Sequence, residues 1–265
     1  MKYIQTFLKY RYLLSNLIGR DIKVKYRRSI LGILWSVLNP LLMMVVIATV
    51  FSTLFGMKGK IGELTVPFHI YYLCGATIYN FISEATSTSM MSVFNAAPLI
   101  KKVYIPKYIF PLEKCLFSFV NLLFSLIAVI IVMLVSGVRF TFTALLFPVP
   151  IIYALIFSIG MSLLLSALTV FFRDIVHIYG VFLTAWMYAT PIIYPVTILK
   201  DHPKLMMLMQ LNPMYYYVEY FRDLILYGTV PGLKNNLICL AFSFGMLIIG
   251  TAVFKSKQDK FVLYM

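Results

Sequence analysis

Charged residues are scarce in this chain, and acidic ones are the scarcest. Of 265 residues, 12% are charged and 62% are hydrophobic, with 9 Asp and Glu against 23 Lys and Arg. A soluble domain has about 25% charged and roughly 45–50% apolar residues. The mean hydropathy of +0.91 excludes an ordinary water-soluble protein, and it also excludes intrinsic disorder, which requires low hydrophobicity. The composition predicts an integral membrane protein.

Residues that carry out catalysis or hold metal ions are few and scattered. The three histidines and three cysteines lie far apart and show neither metal-ligand nor disulfide spacing. The absence of a Gly-rich phosphate-binding loop excludes ATP binding by that route, and there is no Ser/His/Asp grouping typical of a hydrolase. The sequence therefore predicts a non-catalytic chain that has no cofactor or metal of its own.

The net charge of +14 has two explanations. In a soluble protein it would indicate nucleic-acid binding. Here the basic residues lie in the gaps between apolar runs, where they orient a membrane protein and contact anionic lipid headgroups. We therefore expect membrane lipids, and no nucleic acid, as partners of these charges.

Long apolar runs account for most of the length. A membrane-crossing helix needs roughly 20 apolar residues, and six runs meet this requirement. They are residues 30–55, 68–91, 116–135, 145–172, 175–193 and 237–254. The predicted fold class is an all-α integral membrane protein with six transmembrane helices, in a single domain that covers residues 1–265.

The second run, residues 68–91, differs from the others because it carries seven polar residues between Asn80 and Ser89. A lipid-facing helix would not carry so many, so we expect this helix to face protein or a polar cavity. Glu84 is the only carboxylate well inside a predicted span. It either lines a polar path or caps the cytoplasmic end of the helix, and both roles fit the sequence.

The basic residues also predict the orientation. If the N-terminus is cytoplasmic, the segments on that side hold 16 of the 23 Lys and Arg, and the outer segments hold 7. Cytoplasmic loops of membrane proteins carry an excess of basic residues. This bias and the even number of spans predict that both termini are cytoplasmic.

Residues 1–28 precede the first run and are basic. Apolar residues such as Tyr10, Leu14 and Leu17 recur there at three-to-four spacing. This pattern predicts an amphipathic helix in the cytoplasmic membrane interface. The helix is either a basic anchor that orients the chain or a docking surface for a partner.

Residues 95–112 lie between the second and third runs and are basic and aromatic. Pro98, Pro106 and Pro111 cut this segment into short pieces. The segment is unusually apolar for a loop. A short cytoplasmic helix held against another protein explains its composition as well as a plain loop does.

Residues 194–233 form the longest non-spanning stretch, on the outer side. The dipeptide Asn212-Pro213 predicts the start of a helix and Gly228 its end. This helix is amphipathic and rich in tyrosine, so we expect a re-entrant or interfacial helix on the outer face. Glu219 and Arg222 are three residues apart and can pair on one face.

Aromatic residues are plentiful, with 22 Phe, 19 Tyr and 2 Trp. Interface belts and helix packing explain many of them. A tyrosine ring also offers a flat apolar face beside a hydroxyl group. That combination suits a sugar, whose C–H face stacks on the ring while its hydroxyls form hydrogen bonds.

Five segments carry a family resemblance, and they are Arg20–Leu41, Leu99–Pro106, Phe172–Ile175, Thr190–Pro195 and Leu211–Pro213. They resemble, in this order, the opening, the first cytoplasmic segment, the loop after span four and the outer region of type-2 ABC exporter permeases. No single motif is specific. Together they resemble the permeases that export O-antigen, capsule or teichoic acid.

The resemblance implies a permease subunit of an ATP-driven exporter that moves a lipid-linked polysaccharide across the bacterial cytoplasmic (inner) membrane. Such a permease is half of a homodimer and binds a separate ABC ATPase subunit, which uses ATP and Mg. The implied ATPase-coupling residues are Leu99, Ile100, Lys101, Lys102, Val103, Tyr104, Ile105 and Pro106. The implied channel-lining aromatic residues are Trp35, Tyr72, Tyr79, Trp186, Tyr188 and Tyr194. The implied outer gate contains Asn212, Pro213, Tyr216, Glu219, Tyr220 and Arg222.

Three other functions compete with this interpretation. A type-2 ABC exporter of a small drug or lipid shares the fold but does not need a sugar-wide channel. A membrane enzyme of lipid-linked sugar metabolism needs clustered acids or metal ligands, which the sequence lacks. An ATP-independent membrane channel or structural subunit gives no reason for the segment Leu99–Pro106.

Overall fold

The computed structural model describes residues 2–54, 66–138, 140–196 and 203–264. The last residue of the first predicted span and residues 197–202 of the predicted outer region lie outside these ranges. Within them the regular structure is helical, without strands. The helices are α1 (Lys2–Tyr26), α2 (Trp35–Leu54), α3 (Phe68–Met90), α4 (Ser92–Asn95), α5 (Ala97–Ile100), α6 (Ile109–Val135), α7 (Pro148–Phe171), α8 (Ile175–Tyr188), α9 (Pro203–Gln210), α10 (Pro213–Arg222), α11 (Leu233–Lys257) and α12 (Phe261–Tyr264). A π-helical turn, Asp223–Tyr227, follows α10.

Several helices are long and apolar enough to cross a membrane, and among the described residues there are four. They are Gly32–Phe51, Ile109–Val135, Phe142–Phe171 and Leu233–Tyr264. The chain is therefore a multi-pass, all-α membrane protein. The predicted runs 68–91 and 175–193 also form helices, but α3 is too polar and α8, with 14 residues, too short to meet the same criteria. The count of six spans stays a prediction.

Helix α3 lies at the centre of the subunit and contacts α2, α6, α7, α8 and α10. Of its 23 residues, 16 are buried. Its polar side chains are satisfied locally, because Thr77, Thr86 and Ser89 each donate to the carbonyl four residues earlier at 2.6–2.7 Å. The hydroxyl of Tyr179 on α8 also donates to Thr86, at 2.8 Å. The prediction that this polar run faces protein or a polar cavity holds for Thr86 and Ser89, which are buried, whereas Asn80, Ser87 and Thr88 are exposed.

Helices α7 and α11 pack backbone against backbone through two glycines. A Cβ atom at Gly160 would lie 2.5 Å from backbone atoms of Met246 and Leu247, and one at Gly250 would overlap the Gly160 carbonyl. Small residues at a crossing allow helices in a membrane to approach closely. This pair forms one wall of the bundle around α3.

Helix α2 is the least buried of the four apolar helices, since only 6% of its apolar stretch is buried. It packs mainly on α3 and α6. Pro40 lies inside it and has no N–H for the carbonyl of Ser36. Ser125 of α6 supplies the missing donor, with its Oγ 3.4 Å from that oxygen. Leu42, Met43, Val45 and Val46 of α2 form an apolar face that the described part of the chain leaves exposed.

Several helix boundaries differ from the predicted spans, and the largest difference is at the start of α6. Helix α6 begins at Ile109 rather than at 116, and its polar first turns include Lys114, which pairs with Asp21 of α1. Helix α8 ends at Tyr188 rather than at 193. Pro191 cannot continue the helix, and the hydroxyl of Thr190 turns back to a helix carbonyl at 2.8 Å.

Candidate functional site

Residues 95–112, called the ledge below, fold beyond the end of α3. The short helix α5 lies within the ledge, with Pro98 in its first turn, where the missing N–H has no consequence. The N–H groups of Lys102 and Val103 donate to the Leu99 carbonyl at 3.1 and 3.0 Å, so the chain turns sharply after α5. The short pieces predicted from the prolines are present.

The inner side of the ledge packs against α1. Ile105 is buried in an apolar cluster with Leu14 and Leu17 of α1. The hydroxyl of Tyr10, one turn earlier on α1, donates to the backbone carbonyl of Tyr104 at 3.3 Å. Part of the predicted apolar face of the N-terminal helix is therefore covered by the ledge.

The other side of the ledge is apolar and exposed. Tyr104 is 88% exposed, and Val103 and Leu99 are exposed as well. Lys101 and Lys102 lie beside them in the same exposed stretch. An exposed apolar patch with a polar rim is typical of a surface that contacts another protein.

The C-terminal residues also contact the ledge, on a third side, and this contact was not predicted from the sequence. Lys107 donates to the backbone carbonyl of Gln258 at 2.5 Å. Phe261 of α12 is buried against Phe171 and Phe254, with ring centroids 5.9 and 5.3 Å apart. The available signal in the sequence was the short apolar stretch that follows the charged residues at the end of the chain.

Charged residues connect α1 to α6 beside the ledge. Asp21 pairs with Lys114 of α6 and with Arg20, the latter at 2.9 Å. Burial raises the pKa of Asp21, but the hydrogen bonds from Lys114 and Arg20 outweigh burial and hold this pKa below its usual value. Lys114 also lies 3.5 Å from the buried carboxylate of Glu113. Helices α1 and α6 are thus joined by a network of charges.

A second ion pair connects the end of α1 to α3. Lys25 Nζ lies 2.9 Å from Glu84 Oε1, which also accepts from Asn121 Nδ2 of α6 at 3.0 Å. Glu84 lines a polar cavity, as one of its two predicted roles requires, and at the same time pairs with α1. The adjacent Tyr26 hydrogen-bonds to Ser36 at the start of α2. Helix α1 is therefore joined by side-chain contacts to α2, α3 and α6.

Arg222 of α10 lies beside α3, at the end of that helix opposite to the ledge, and is 0% exposed. Its guanidinium donates to the backbone carbonyl of Tyr71 at 3.1 and 3.3 Å. It also donates to the carbonyls of Pro191 and Ile192 at 2.7 and 3.2 Å. The predicted pair with Glu219 is confirmed, at 2.8 Å. We call Arg222 and these acceptors the arginine clamp, which joins α3, α10 and the turn after α8.

Gly75 provides the space that the arginine clamp occupies. A Cβ atom at this position would lie 2.5 Å from Nη2 of Arg222. The guanidinium carbon also lies 3.5 Å from the centre of the Tyr71 ring, a cation–π contact in a desolvated setting. The clamp is therefore built from packing and hydrogen bonds together.

Asn212 fixes the start of α10. Its Oδ1 accepts from the N–H of Met214 at 3.0 Å and from Nε1 of Trp186 at 2.7 Å, which makes it an N-cap that also holds α8. Its Nδ2 donates to Thr190 Oγ1 at 2.9 Å. Gly228 has a φ of 65° and ends the π-helical turn that follows. The predicted start and end of this helical segment are confirmed.

The remaining predicted gate residues connect α10 to α11. Pro213 occupies the first turn of α10. Tyr220 donates to Asn236 Oδ1 at 2.8 Å, and the ring of Tyr216 packs on Phe242 with centroids 6.1 Å apart. The structure therefore brings all of the predicted gate residues into one packed unit.

The predicted channel-lining aromatic residues fall into two groups. Tyr79 and Trp186 are buried within the subunit, where Tyr79 donates to the carbonyl of Leu183 at 2.5 Å. The exposed or half-buried members are Trp35, Tyr72, Tyr188 and Tyr194. The structure of one subunit thus does not bring all of these rings to a common surface.

Comparison with known proteins identifies the family. Residues 12–226 match the ABC-2 type transporter family. The chain is 27% identical over 261 residues to the O-antigen export system permease protein RfbA of Myxococcus xanthus, with 98% of each chain covered. It is 26% identical over 252 residues to the protein of the same name from Klebsiella pneumoniae, covering 94% of this chain and 93% of the relative. The chain belongs to the family of ABC-2 type transporter membrane proteins.

Proposed function

We propose that the chain is the transmembrane permease subunit of an ATP-driven exporter that moves a lipid-linked polysaccharide across the bacterial cytoplasmic membrane. The observation that carries this proposal is the similarity to an O-antigen export permease over 98% of both chains. O-antigen is therefore the first candidate substrate, and capsule and teichoic acid polymers are chemically related ones.

In this proposal the subunit has six transmembrane helices, which are α2, α3, α6, α7, α8 and α11. Both termini are cytoplasmic, so that α1 and the ledge lie on the cytoplasmic side and the arginine clamp on the outer side. The packing of α3 and α8 against α7 supports their inclusion, because both belong to the same bundle as the four apolar helices.

A second copy of the chain supplies the other half of the channel. Helix α2 leaves an apolar face uncovered, and α8 exposes Ile178, Val181 and Phe182. Lipid or a second subunit can cover such faces. Trp35 and Tyr188 are exposed on these same two helices and favour a second subunit, because their rings would then line a path for sugars.

A separate ABC ATPase, with its ATP and Mg, binds at the ledge. Val103 and Tyr104 project from a segment that α1, α6 and the C-terminal residues brace from different sides. A partner bound to these side chains would therefore move the ledge together with the segments that pack against it. Helix α1 would pass that movement to α6 through Asp21 and to α2 through Tyr26.

The test compares two exposed tyrosines on the proposed cytoplasmic side. Tyr104 on the ledge is 88% exposed and Tyr12 on α1 is 68% exposed. Tyr104→Glu is expected to reduce both co-purification of the ATPase and polysaccharide export by about tenfold, because it places a charge in an apolar contact. Tyr12→Glu, the matched control, is expected to leave both close to wild type. The readouts are quantitative mass spectrometry of pull-downs and surface polysaccharide in a complemented deletion strain.

The outcomes separate the competing functions. Equal ATPase recovery with both variants would contradict the coupling role of the ledge. A deletion strain that keeps its surface polysaccharide and becomes sensitive to a small drug would favour the small-molecule exporter. Repeated absence of an ATPase from wild-type pull-downs would favour the ATP-independent channel.

A further inference from the structure

A polar cavity, called the niche below, lies between α2, α3 and α6. Its volume is about 190 Å³, enough for several water molecules. Its polar lining residues are Asn39, Thr77, Asn80, Glu84, Asn121 and Ser125. Polar side chains are costly within a membrane and mark functional sites there. The link from α1 explains Glu84 and Asn121, and the channel role explains Tyr72, but neither explains the amides of Asn39 and Asn80.

Asn121 has an unused hydrogen-bond acceptor at the niche. The residue is 6% exposed, and its Oδ1 has no hydrogen-bond partner within the described part of the chain. Turning the amide over does not solve this, because Nδ2 donates to the Glu84 carboxylate at 3.0 Å and an oxygen in its place would face another acceptor. Buried polar atoms are normally paired, so the polar network around Glu84 and Asn121, which borders the niche, is one donor short.

Other groups in the niche are also acceptors. The hydroxyl oxygen of Thr77 lies 2.7 Å from the Leu73 carbonyl, and that of Ser125 lies 3.1 and 3.4 Å from the carbonyls of Asn121 and Ser36, which share its one proton. Both hydroxyls therefore donate to the backbone, and their oxygen lone pairs remain for a ligand. Glu84 is balanced by Lys25 at 2.9 Å, so the carboxylate leaves no unpaired charge. A neutral ligand with several hydroxyl donors fits this site better than a metal cation or a phosphate.

The niche has a size suited to one ring and an apolar part beside its polar groups. Tyr72 and Phe81 contribute aromatic side chains, and Met43 and Met187 contribute thioethers. An aromatic face beside hydrogen-bond acceptors matches a sugar, with its C–H face against the ring. The cavity is smaller than the roughly 300–1,000 Å³ of sites for drug-sized ligands, which limits the ligand to about one sugar ring.

The niche is accessible from the side of α2. Asn39 of α2 and Asn80 of α3 are exposed at its margin, where lipid would offer no hydrogen-bond partner. Helix α2 is little buried and contains Pro40, so it is the least buried wall of the niche.

We propose that the niche binds one neutral sugar ring of the exported polysaccharide between α2 and the α3–α6 pair. The bound ring forms hydrogen bonds with the exposed amides of Asn39 and Asn80. It also contacts α2, the helix that Tyr26 of α1 joins to the ledge side of the subunit. The inference rests on the proposed function, because it assigns a subsite to that substrate.

Photo-crosslinking in exporting cells tests whether sugar enters the niche. The photoreactive residue p-benzoyl-phenylalanine replaces Tyr72 in the niche or Tyr153 on α7; both tyrosines are half-buried, and only Tyr72 lines the niche. After irradiation, the permease from the Tyr72 strain is expected to carry a polysaccharide adduct, detected by lectin or antibody blot. The Tyr153 strain is expected to carry none. No adduct at Tyr72 in cells that export normally would overturn the proposal.

Substitution of the niche amides tests whether binding matters for transport. Asn121→Leu and Asn80→Leu are each expected to lower the export rate about fivefold, as loss of one hydrogen bond implies. Asn80 is exposed, so its variant keeps the test valid if Asn121→Leu fails to fold. Ser158→Ala is the matched control, because Ser158 is buried with an unpaired Oγ but lies outside the niche. Wild-type export by folded Asn80→Leu and Asn121→Leu would mean that the niche holds only water.

The proposed function and the sugar subsite can be contradicted by separate results. Surface polysaccharide that persists in a strain lacking the gene would overturn the proposed function. Polysaccharide that disappears on deletion, together with no adduct at Tyr72 and normal export by the niche variants, would overturn the sugar subsite alone.

Discussion

The ledge and the arginine clamp stand at opposite ends of α3 and use aromatic and basic residues in opposite ways. At the ledge, Tyr104 is exposed and the nearby ion pairs involve partly exposed side chains such as Arg20. At the clamp, Arg222 is fully buried, and its hydrogen bonds go to backbone carbonyls and to Glu219. The ledge therefore presents an exposed surface, whereas the arginine of the clamp is fully buried.

Under the proposed function, this contrast separates residues that bind a partner from residues that hold the fold. An exposed apolar side chain such as Tyr104 gains nothing from the fold itself, so its role depends on a partner. A buried arginine with several acceptors is essential to its surroundings, because its removal leaves polar groups unpaired. In the proposed mechanism the ledge receives the movement, and the clamp makes α3 and α10 move as one body.

The largest expected effect is at the clamp. Arg222→Met removes the donor for three carbonyls and leaves Glu219 without its partner, so we expect a loss of about 3–5 kcal/mol in the free energy of unfolding. The measurement is thermal unfolding of the purified protein in detergent. Lys204→Met on the neighbouring α9, where the lysine is exposed, is the control and should change it by under about 0.5 kcal/mol. An unchanged melting temperature for Arg222→Met would show that the clamp is not structural.

A smaller effect distinguishes two adjacent residues within the ledge. Ile105→Glu removes a buried side chain from the α1 cluster and is expected to lower the free energy of unfolding by at least about 2 kcal/mol. Tyr104→Glu is expected to change it by less than about 0.5 kcal/mol, although it weakens ATPase binding. Melting temperatures of the two variants provide the comparison. If both variants lose the same stability, the ledge is a structural element like the clamp.

Tyr104 and Ile105 also show where prediction from sequence ends. Both belong to the segment predicted to contact an ATPase, yet one side chain points outward and the other is buried against α1. An irregular segment between prolines has no periodicity that tells one face from the other. The packing of a helix about ninety residues earlier in sequence decides the matter, as the Tyr10–Tyr104 hydrogen bond across 94 positions shows.

Features with a local cause were predicted well. The start of α10 at Asn212 and the end of its segment at Gly228 follow from capping and from a positive φ. The pairing of Glu219 with Arg222 follows from helical spacing. The carbonyl acceptors of Arg222, in contrast, lie 30 to 151 positions away in sequence, and no spacing rule predicts contacts of that kind.

The helices and the niche also differ in how far they can be predicted from local sequence. All of the predicted apolar runs coincide with helices, because a long apolar run has few other stable conformations in a membrane. The niche is formed by amides on three different helices, such as Asn39, Asn80 and Asn121. Their placement together depends on helix rotation and packing, which one sequence does not specify.

The smallest expected effect concerns the link between the ledge and the spans. Because the folded-state pKa of Asp21 lies below its usual value of 3.8, its ion pair stabilises the α1–α6 contact fully above that value and is lost as the pH falls below it. We expect a contribution of at most about 1 kcal/mol, seen as increased hydrogen exchange of α1 at pH below about 4. Asp21→Asn should remove this pH dependence. Glu113→Gln is the necessary control, since Glu113 also lies 3.5 Å from Lys114, and pH dependence that disappears only with Glu113→Gln would assign the link to the buried carboxylate instead.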